Sequence, residues 1–252
     1  MTSISVASRV AAPRSWAGIG SVGLLVIAAL IWQLASQLTF VIPTPIGTFQ
    51  VLLENLTDPT YLAHLRATAV AIVQACVIGI VVGGSIGLLI GLVPLARRAL
   101  EPLIIALNGV PKIVLYPVLL PIFQLSGSKV VMGVLFALFP VLINVATGVR
   151  ELPAVYWKLG RSVQANRWQM LRHIILPGIR RPLLTGIRLA VSLAVVGVVL
   201  SEFFATRWGL GRVVLQAHGH GDYASMVATI MLLITVSFVV SVLLWRWEKN
   251  LR

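Results

Sequence analysis

Residues 157–181 read WKLGRSVQANRWQMLRHIILPGIRR, and this basic segment lies between two long apolar runs of the chain. It holds six cationic side chains and no acidic one, namely Lys158, Arg161, Arg167, Arg172, Arg180 and Arg181. The runs on either side are as apolar as segments that lie in a lipid bilayer. A polar, basic loop between such runs indicates a surface that a soluble partner contacts.

The composition of the whole chain supports a membrane protein. Its 252 residues are 58% hydrophobic and only 11% charged, and the mean hydropathy is +0.98. A soluble domain usually carries about 25% charged residues, so this chain has too few to cover a surface facing water. The net charge of +13 is also found in nucleic-acid-binding proteins. Here the charges lie between apolar runs, which favours positive cytoplasmic loops and no nucleic-acid partner.

Six runs are long enough to span the hydrocarbon core, which takes about 20 residues of helix. They cover residues 18–38, 68–93, 103–125, 130–149, 183–204 and 226–245. The fold class predicted is therefore all-α, a polytopic integral membrane protein with six transmembrane helices. The first run follows two arginines as a signal peptide would, but it is long and lacks a cleavage site, so we interpret it as retained. We divide the chain into an N-terminal segment, 1–17, and a transmembrane domain, 18–252, with a loop at 150–182.

Basic residues are unevenly shared between the two sets of loops. One set contains most of them: Arg9, Arg14, Arg97, Arg98, those of residues 150–188, Arg246, Lys249 and Arg252. The other set contains only Arg66, Lys129, Arg207 and Arg212. Because the richer set faces the cytoplasm, we expect the basic segment and both termini there, in a multi-pass protein of the cell membrane.

Two further stretches carry structural information. Four glycines at four-residue spacing predict a face of the second helix that packs closely on a neighbour, within the chain or across a dimer: Gly79, Gly83, Gly87 and Gly91. Gly84 lies off this stripe. Residues 48–56 follow Pro43-Thr44-Pro45 and form either a short interfacial helix or a plain connector.

Within the basic segment, residues 166–175 have the pattern of a short helix. Asn166 is a favourable N-cap, and Gln169 stands three residues later, as in a capping box. Trp168, Leu171 and Ile175 fall on one face at helical spacing. Such a helix either lies on anionic headgroups or fits a groove of a soluble partner, and composition alone leaves both open.

The same segment resembles a known family. Aligned on Ile174-Ile175-Leu176-Pro177, it is similar to the cytoplasmic loop, E-A-A-x3-G-x9-I-x-L-P, of inner-membrane permeases of ATP-binding-cassette importers, nitrate/sulfonate/taurine type. The second half matches, whereas Lys158-Leu159-Gly160 replaces Glu-Ala-Ala and Gln164 replaces the glycine. Other stretches also resemble that branch: PTP at 43–45, PKIVLYP at 111–117, FPVLIN at 139–144, GIRLA at 186–190, SEFF at 201–204 and GLG at 209–211.

The resemblance implies the permease subunit of an ATP-driven importer, with the fold of importer permeases. It would move a small anionic or zwitterionic solute delivered by an extracytoplasmic binding protein. Residues 165–173 would be the coupling helix that contacts a cytoplasmic ATP-binding subunit. The implied contacts are Ala165, Asn166, Arg167, Trp168, Gln169, Leu171 and Arg172. A second permease copy, identical or paralogous, would complete the assembly in the lipid membrane.

Polar residues inside the apolar runs are candidates for the solute pathway. Asn108, Lys112 and Tyr116 are four residues apart and are predicted to share a face, where the cation would suit an anionic solute. The alternative is that Lys112 snorkels or pairs internally. Glu202 either lines a gate or pairs with Arg207 or Arg212, and pairing is favoured.

Several chemistries lack their motifs in this sequence. It has no G-x-x-x-x-G-K-[ST] phosphate loop, so we expect ATP hydrolysis in a separate subunit and no enzymatic activity in this chain. A loop with His218, His220 and Asp222 is interpreted as solvated, and we expect no metal and no cofactor. The alternative function is a secondary transporter or channel not coupled to ATP. Such a transporter would need a carboxylate in the membrane, for which only Glu202 qualifies.

Overall fold

The protein is described over residues 14–250 by a computed structural model, so residues 1–13 of the predicted N-terminal segment lie outside it. Within the described range the chain forms helices joined by short connections and no strand. The α-helices are α1 (Arg14–Leu38), α2 (Pro45–Asn55), α3 (Pro59–Leu92), α4 (Pro94–Gly109), α5 (Tyr116–Arg150), α6 (Ala154–Ser162), α7 (Arg167–Gln169), α8 (Leu176–Gly178), α9 (Arg180–Glu202), α10 (Leu210–Gly219) and α11 (Tyr223–Asn250). A 3₁₀ turn, Lys112–Leu115, precedes α5, and a π-helical stretch, Met170–Ile175, joins α7 to α8.

The all-α class predicted from the sequence is confirmed. Four stretches of the described chain are long and apolar enough to cross a membrane, and Val26–Leu38 is a shorter apolar helix. The four are Pro59–Leu92, Lys112–Arg150, Arg180–Glu202 and Tyr223–Arg246. Helices α3, α5 and α9 pack most extensively on one another and form the centre of the bundle.

The third predicted span, 103–125, does not form a single helix. Helix α4 ends at Gly109, and Val110 adopts an extended conformation (ψ 132°) before Pro111. A residue before proline avoids the helical region because the proline ring clashes with it, which explains the break. Residues 126–129, which lie between the third and fourth predicted spans, are part of α5, whose helix is interrupted at Gln124 (φ 59°, ψ −177°). Ser128 is buried and donates to the carbonyls of Leu119 (3.0 Å) and Gln124 (2.6 Å), which this break frees.

The glycine stripe of α3 packs against α5 of the same chain, which decides between the two alternatives left open by the sequence. A Cβ atom at Gly83 would lie 2.5 Å from the carbonyl oxygen of Leu138, and one at Gly79 would lie 2.6 Å from Ala137 Cβ. At Gly84, off the stripe, the nearest atom would be 3.9 Å away. The stripe therefore lets two helix backbones approach closely.

Residues 45–55 form a helix, so the alternative of a plain connector is wrong. Thr44 caps α2 by accepting a hydrogen bond from the Gly47 amide (3.2 Å), and Pro45 occupies its first turn. Trp32 Nε1 donates to the Pro43 carbonyl (3.1 Å) and ties α1 to the start of α2. Helix α2 packs on α11.

Candidate functional site

The basic segment leaves the bundle between α5 and α9 and contains the predicted capped helix. Asn166 Oδ1 accepts a hydrogen bond from the Gln169 amide (2.8 Å), and Gln169 Oε1 accepts one from the Asn166 amide (2.9 Å). The predicted capping box is confirmed. Gln164 precedes it with a φ of 49°, in the left-handed region that glycine adopts at no steric cost. This is the position at which the sequence pattern has glycine, a residue that would adopt this φ without strain.

The prediction that Trp168, Leu171 and Ile175 present one common face is wrong. Ile175 is buried in the main hydrophobic core and Leu171 packs against that core, whereas Trp168 is 64% exposed. The helix widens into a π turn after Gln169, so side chains beyond it no longer follow the 3.6-residue period used for the prediction. The exposed surface of the helix is formed by Arg167, Trp168, Gln169, Arg172 and His173.

Helix α6 packs against the segment that contains the capped helix. A Cβ at Gly160 would lie 2.4 Å from Met170 Sδ, so α6 and the π turn are in close contact at this position. The six cations of the basic segment are all exposed. None of them takes part in the three ion pairs found among residues 14–250, which are Lys129–Glu202, Arg150–Glu101 and Arg188–Glu248. The segment therefore presents unpaired positive charge around an exposed tryptophan.

The opposite end of the bundle contains a buried ion pair. Helix α9 runs from the basic segment to Glu202, a distance of about 33 Å for its 23 residues. There Glu202, only 1% exposed, lies 3.1 Å from Lys129 Nζ, and Lys129 also donates to the carbonyls of Ala67 (3.3 Å) and Trp208 (2.9 Å). Glu202 is thus paired, as the sequence favoured. The predicted partner was wrong, because Lys129 takes the place of Arg207 or Arg212.

Further hydrogen bonds join this pair to the loop before α10. Thr68 Oγ1 donates to the Glu202 carboxylate (3.0 Å) and accepts from the Leu210 amide (2.8 Å). The Gly211 amide donates to Glu202 Oε2 (3.0 Å), and His64 Nδ1 lies 3.0 Å from the Gly209 nitrogen. A Cβ at Gly209 would lie 2.2 Å from the carboxylate. The network connects α3, α5, α9 and the start of α10 at one point.

Sequence reasoning missed Lys129 because it stands at the boundary of an apolar run, where a flanking loop lysine is common. One signal was available. The chain has only seven acidic residues, and Glu202 stands at the end of a span. Because a charged side chain there is usually paired, a cation is expected at the same end of a neighbouring span. Arg212 instead donates to the Thr206 carbonyl.

The predicted common face of Asn108, Lys112 and Tyr116 is also wrong. Lys112 Nζ lies 3.2 Å from the Asn108 carbonyl and 3.3 Å from its Oδ1, and 4.8 Å from the Phe139 ring centre. Tyr116 is buried, and its hydroxyl donates to the Ala205 carbonyl (2.8 Å). The break at Pro111 separates Asn108 from Lys112 and Tyr116, and of these two only Lys112 contacts Asn108, through its side chain. Asn108 is exposed and Lys112 half-buried, so these two remain open to a solute.

No group of three or more histidine, cysteine, aspartate or glutamate side chains is arranged for metal binding in the part of the chain that the structure describes. Asp222 Oδ1 accepts from the Ser225 amide (3.0 Å) at the start of α11, and the His218 ring lies against Tyr223. His218 belongs to α10 and not to a loop, and both contacts are made with the start of α11.

Comparison with known proteins gives a family match and several relatives. Residues 77–252 match the family described as "binding-protein-dependent transport system inner membrane component". The formylaminopyrimidine transport permease protein ThiX of Halalkalibacterium halodurans is 28% identical over 221 residues, which cover 84% of this chain and 87% of the relative. The taurine transport system permease protein TauC of Escherichia coli K12 is 27% identical, covering 92% of this chain and 86% of the relative.

A solved structure has the same fold. In an inward-facing structure of the MetNI methionine ABC transporter, one chain superposes with a TM-score of 0.67 at 17% sequence identity. The superposition covers 78% of this chain and 99% of that one.

Proposed function

The chain belongs to the family of binding-protein-dependent transport system inner membrane components, and from this membership we propose how it engages its partners. It is a multi-pass membrane permease of an ATP-binding-cassette importer, a class that works with an ATP-binding subunit and a solute-binding protein. The membership decides against a secondary transporter or channel. Our proposal is that residues 165–173 form the surface through which the separate ATP-binding subunit, where ATP is hydrolysed, moves this permease.

The exposed, capped helix of the basic segment is the observation that supports this proposal. A helix that docks into a groove of a partner needs a rigid shape and a side chain that the partner can bury. The capping box gives this helix its rigid shape, and Trp168, 64% exposed, is available for burial. Arg167 and Arg172 flank the tryptophan and are exposed, so they are free to bind carboxylates. Ala165, Asn166 and Gln169 shape the turn, and Leu171 anchors the helix to the bundle.

The orientation of the protein in the membrane is inferred from its charge distribution. We propose that the basic segment and both termini face the cytoplasm, because most of the arginines and lysines lie in that set of loops. We also propose that a second permease copy completes the pathway and that the surrounding helices contact lipid. Asn108 and Lys112 are our candidates for solute contact. Tyr116 and Glu202, also candidates by sequence, hold the bundle together through the contacts described above.

The solute is proposed to be small and either anionic or zwitterionic. The relatives named above carry formylaminopyrimidine and taurine in their names, and these solutes differ in charge and shape. A cation near the pathway favours an anionic group, and Lys112 is such a cation.

Co-purification of the ATP-binding subunit tests the docking surface. Trp168→Asp combined with Arg172→Glu should reduce the amount of co-purified subunit by at least about tenfold, because an anchoring tryptophan contributes about 2 kcal/mol or more to an interface. The matched control is Arg97→Glu combined with Arg98→Glu, which reverses two charges in α4, in the same set of loops. Unchanged association of the first variant, or equal loss in both, would contradict the proposal.

A further inference from the structure

An open cavity of about 660 Å³ lies beside the buried Lys129–Glu202 pair, at the end of the bundle remote from the basic segment. It is bounded by one face of α3, by α5 just after the Gln124 break, and by residues 206–208. From its lining we infer that this cavity binds the acidic group of a small organic anion, held by Arg66 and Arg207. The inference rests on the proposed function, which places this end on the side where the binding protein delivers solute.

The charges around the cavity are the first reason. Its lining includes Arg66, Lys129 and Arg207, and no acidic residue is among the lining residues described. Lys129 is neutralised by Glu202. Arg66 and Arg207 are exposed, and neither is in an ion pair within residues 14–250. Two positive charges therefore face the cavity with no acidic partner among the lining residues described.

The shape and remaining lining define the ligand class. A volume of this size suits a small molecule and not a macromolecule. The guanidinium group binds carboxylate, sulfonate or phosphate through paired hydrogen bonds. Apolar side chains complete the walls, including Leu62, Val70 and the half-exposed ring of Trp208. An anion with a compact apolar part fits both kinds of surface better than a bare inorganic ion does.

The Lys129–Glu202 network explains why the site would be rigid. The carbonyl of Trp208 accepts a hydrogen bond from Lys129, and the amide of Gly211 donates one to Glu202. The loop that carries Arg207 is thus fixed to α5 and α9 by buried bonds. A cavity whose wall is fixed in this way loses little conformational entropy on binding.

An anionic phospholipid headgroup offers the same chemistry as an organic anion in solution. Both present a phosphate or similar group to the two arginines. The experiment must therefore vary solute and lipid separately.

Charge-selective labelling of a cysteine in the cavity tests the inference. Ser126 lines the cavity and is exposed, and the only native cysteine, Cys76, is buried. We would introduce Ser126→Cys into a Cys76→Ala background and reconstitute the complex with its ATP-binding subunit in phosphatidylcholine nanodiscs. Modification rates are then compared for a methanethiosulfonate carrying a sulfonate and one carrying a trimethylammonium group, each divided by its rate with a free thiol in solution.

We expect the normalised ratio to favour the sulfonate reagent by about tenfold, since two nearby positive charges attract one reagent and repel the other. Arg66→Gln combined with Arg207→Gln should bring the ratio close to one. The matched control, Arg97→Gln combined with Arg98→Gln, removes two charges remote from the cavity and should leave it unchanged. Lys129 is left intact, because its removal would leave Glu202 buried without a partner.

Protection then identifies the ligand. Benzenesulfonate should slow the labelling of Ser126→Cys in a saturable way, whereas benzyl alcohol should not. A ratio near one in the parent protein, or no protection by benzenesulfonate, would overturn the inference even if the arginine variants failed to assemble. Protection by phosphatidylglycerol alone would assign the cavity to lipid and also overturn it. None of these results depends on whether the basic segment binds the ATP-binding subunit, so the two proposals fail separately.

Discussion

At the scale of single residues, the Lys129–Glu202 pair accounts for two charges that an apolar chain would otherwise expose to lipid. Both side chains are less than a tenth exposed, and four further groups bond to them directly: the Thr68 hydroxyl, the Ala67 and Trp208 carbonyls and the Gly211 amide. A buried ion pair is worth little compared with a well-packed apolar pair, but removing one member leaves an uncompensated charge. The pair therefore matters mainly through the loop that it fixes.

Substitution of Glu202 tests this view. Glu202→Gln should lower the free energy of unfolding by about 3–5 kcal/mol, because Lys129 then lies buried without a carboxylate. Thermal unfolding of the purified protein in detergent gives the shift in the midpoint temperature, and a denaturant series gives the change in the free energy of unfolding. The double variant Lys129→Met, Glu202→Leu should recover most of the loss. A Glu202→Gln protein as stable as the parent would contradict the role assigned to the pair.

At the scale of secondary-structure elements, the contact between α3 and α5 depends on glycine at successive turns of α3. The backbone of α5 occupies the space that a side chain on the stripe would fill, as at Gly83, where Leu138 approaches most closely. Its neighbour Gly84 has free space around it. The two positions differ in packing but not in sequence context, which makes them a matched pair.

We expect Gly83→Ala to destabilise the protein by about 1–3 kcal/mol, the usual cost of forcing extra atoms into a packed contact. Gly84→Ala should be neutral or stabilising by up to about 1 kcal/mol, since alanine favours helix. The midpoints of thermal unfolding in the same detergent compare them directly. Equal effects at both positions would show that the stripe does not set the distance between α3 and α5.

The elements also show where sequence reasoning succeeds and where it fails. Local signals in the sequence were enough to predict the cap of the basic segment, because Asn166 and Gln169 each bond to the other's backbone amide, three residues away. The spacing of Gly79–Gly91 likewise predicted a packing face. Hydropathy alone did not predict the break within residues 103–125. The break arises because Pro111 restricts the backbone of the residue before it, an effect on which the hydropathy of a segment carries no information.

At the scale of the whole molecule, the two ends of the bundle differ in chemistry. One end carries the exposed basic segment, and the other contains the buried Lys129–Glu202 network and the cationic cavity beside it. The sequence indicated that Glu202 pairs with a cation but did not identify Lys129, since residues 129 and 202 are 73 positions apart and meet only when α5 and α9 pack. Motif order was sufficient for the family, which the match to residues 77–252 establishes.

We propose that motion is transmitted along α9, which connects the basic segment directly to Glu202. A push on the capped helix would reach the opposite end through one continuous helix packed against α5. Rigid-body motion of packed helices is a general way in which proteins change conformation, and this proposal uses it. The whole mechanism depends on the basic segment being in contact with the ATP-binding subunit.

Labelling of residue 172 tests that contact most directly. Arg172→Cys in the Cys76→Ala background would be treated with a membrane-impermeant maleimide in inverted membrane vesicles, first stripped of the ATP-binding subunit and then with the subunit restored. We predict rapid labelling in the stripped vesicles and at least about tenfold slower labelling after restoration, as expected for a site buried in an interface. Labelling only in right-side-out vesicles, or a rate that the subunit leaves unchanged, would contradict the assignment of the basic segment as the docking surface.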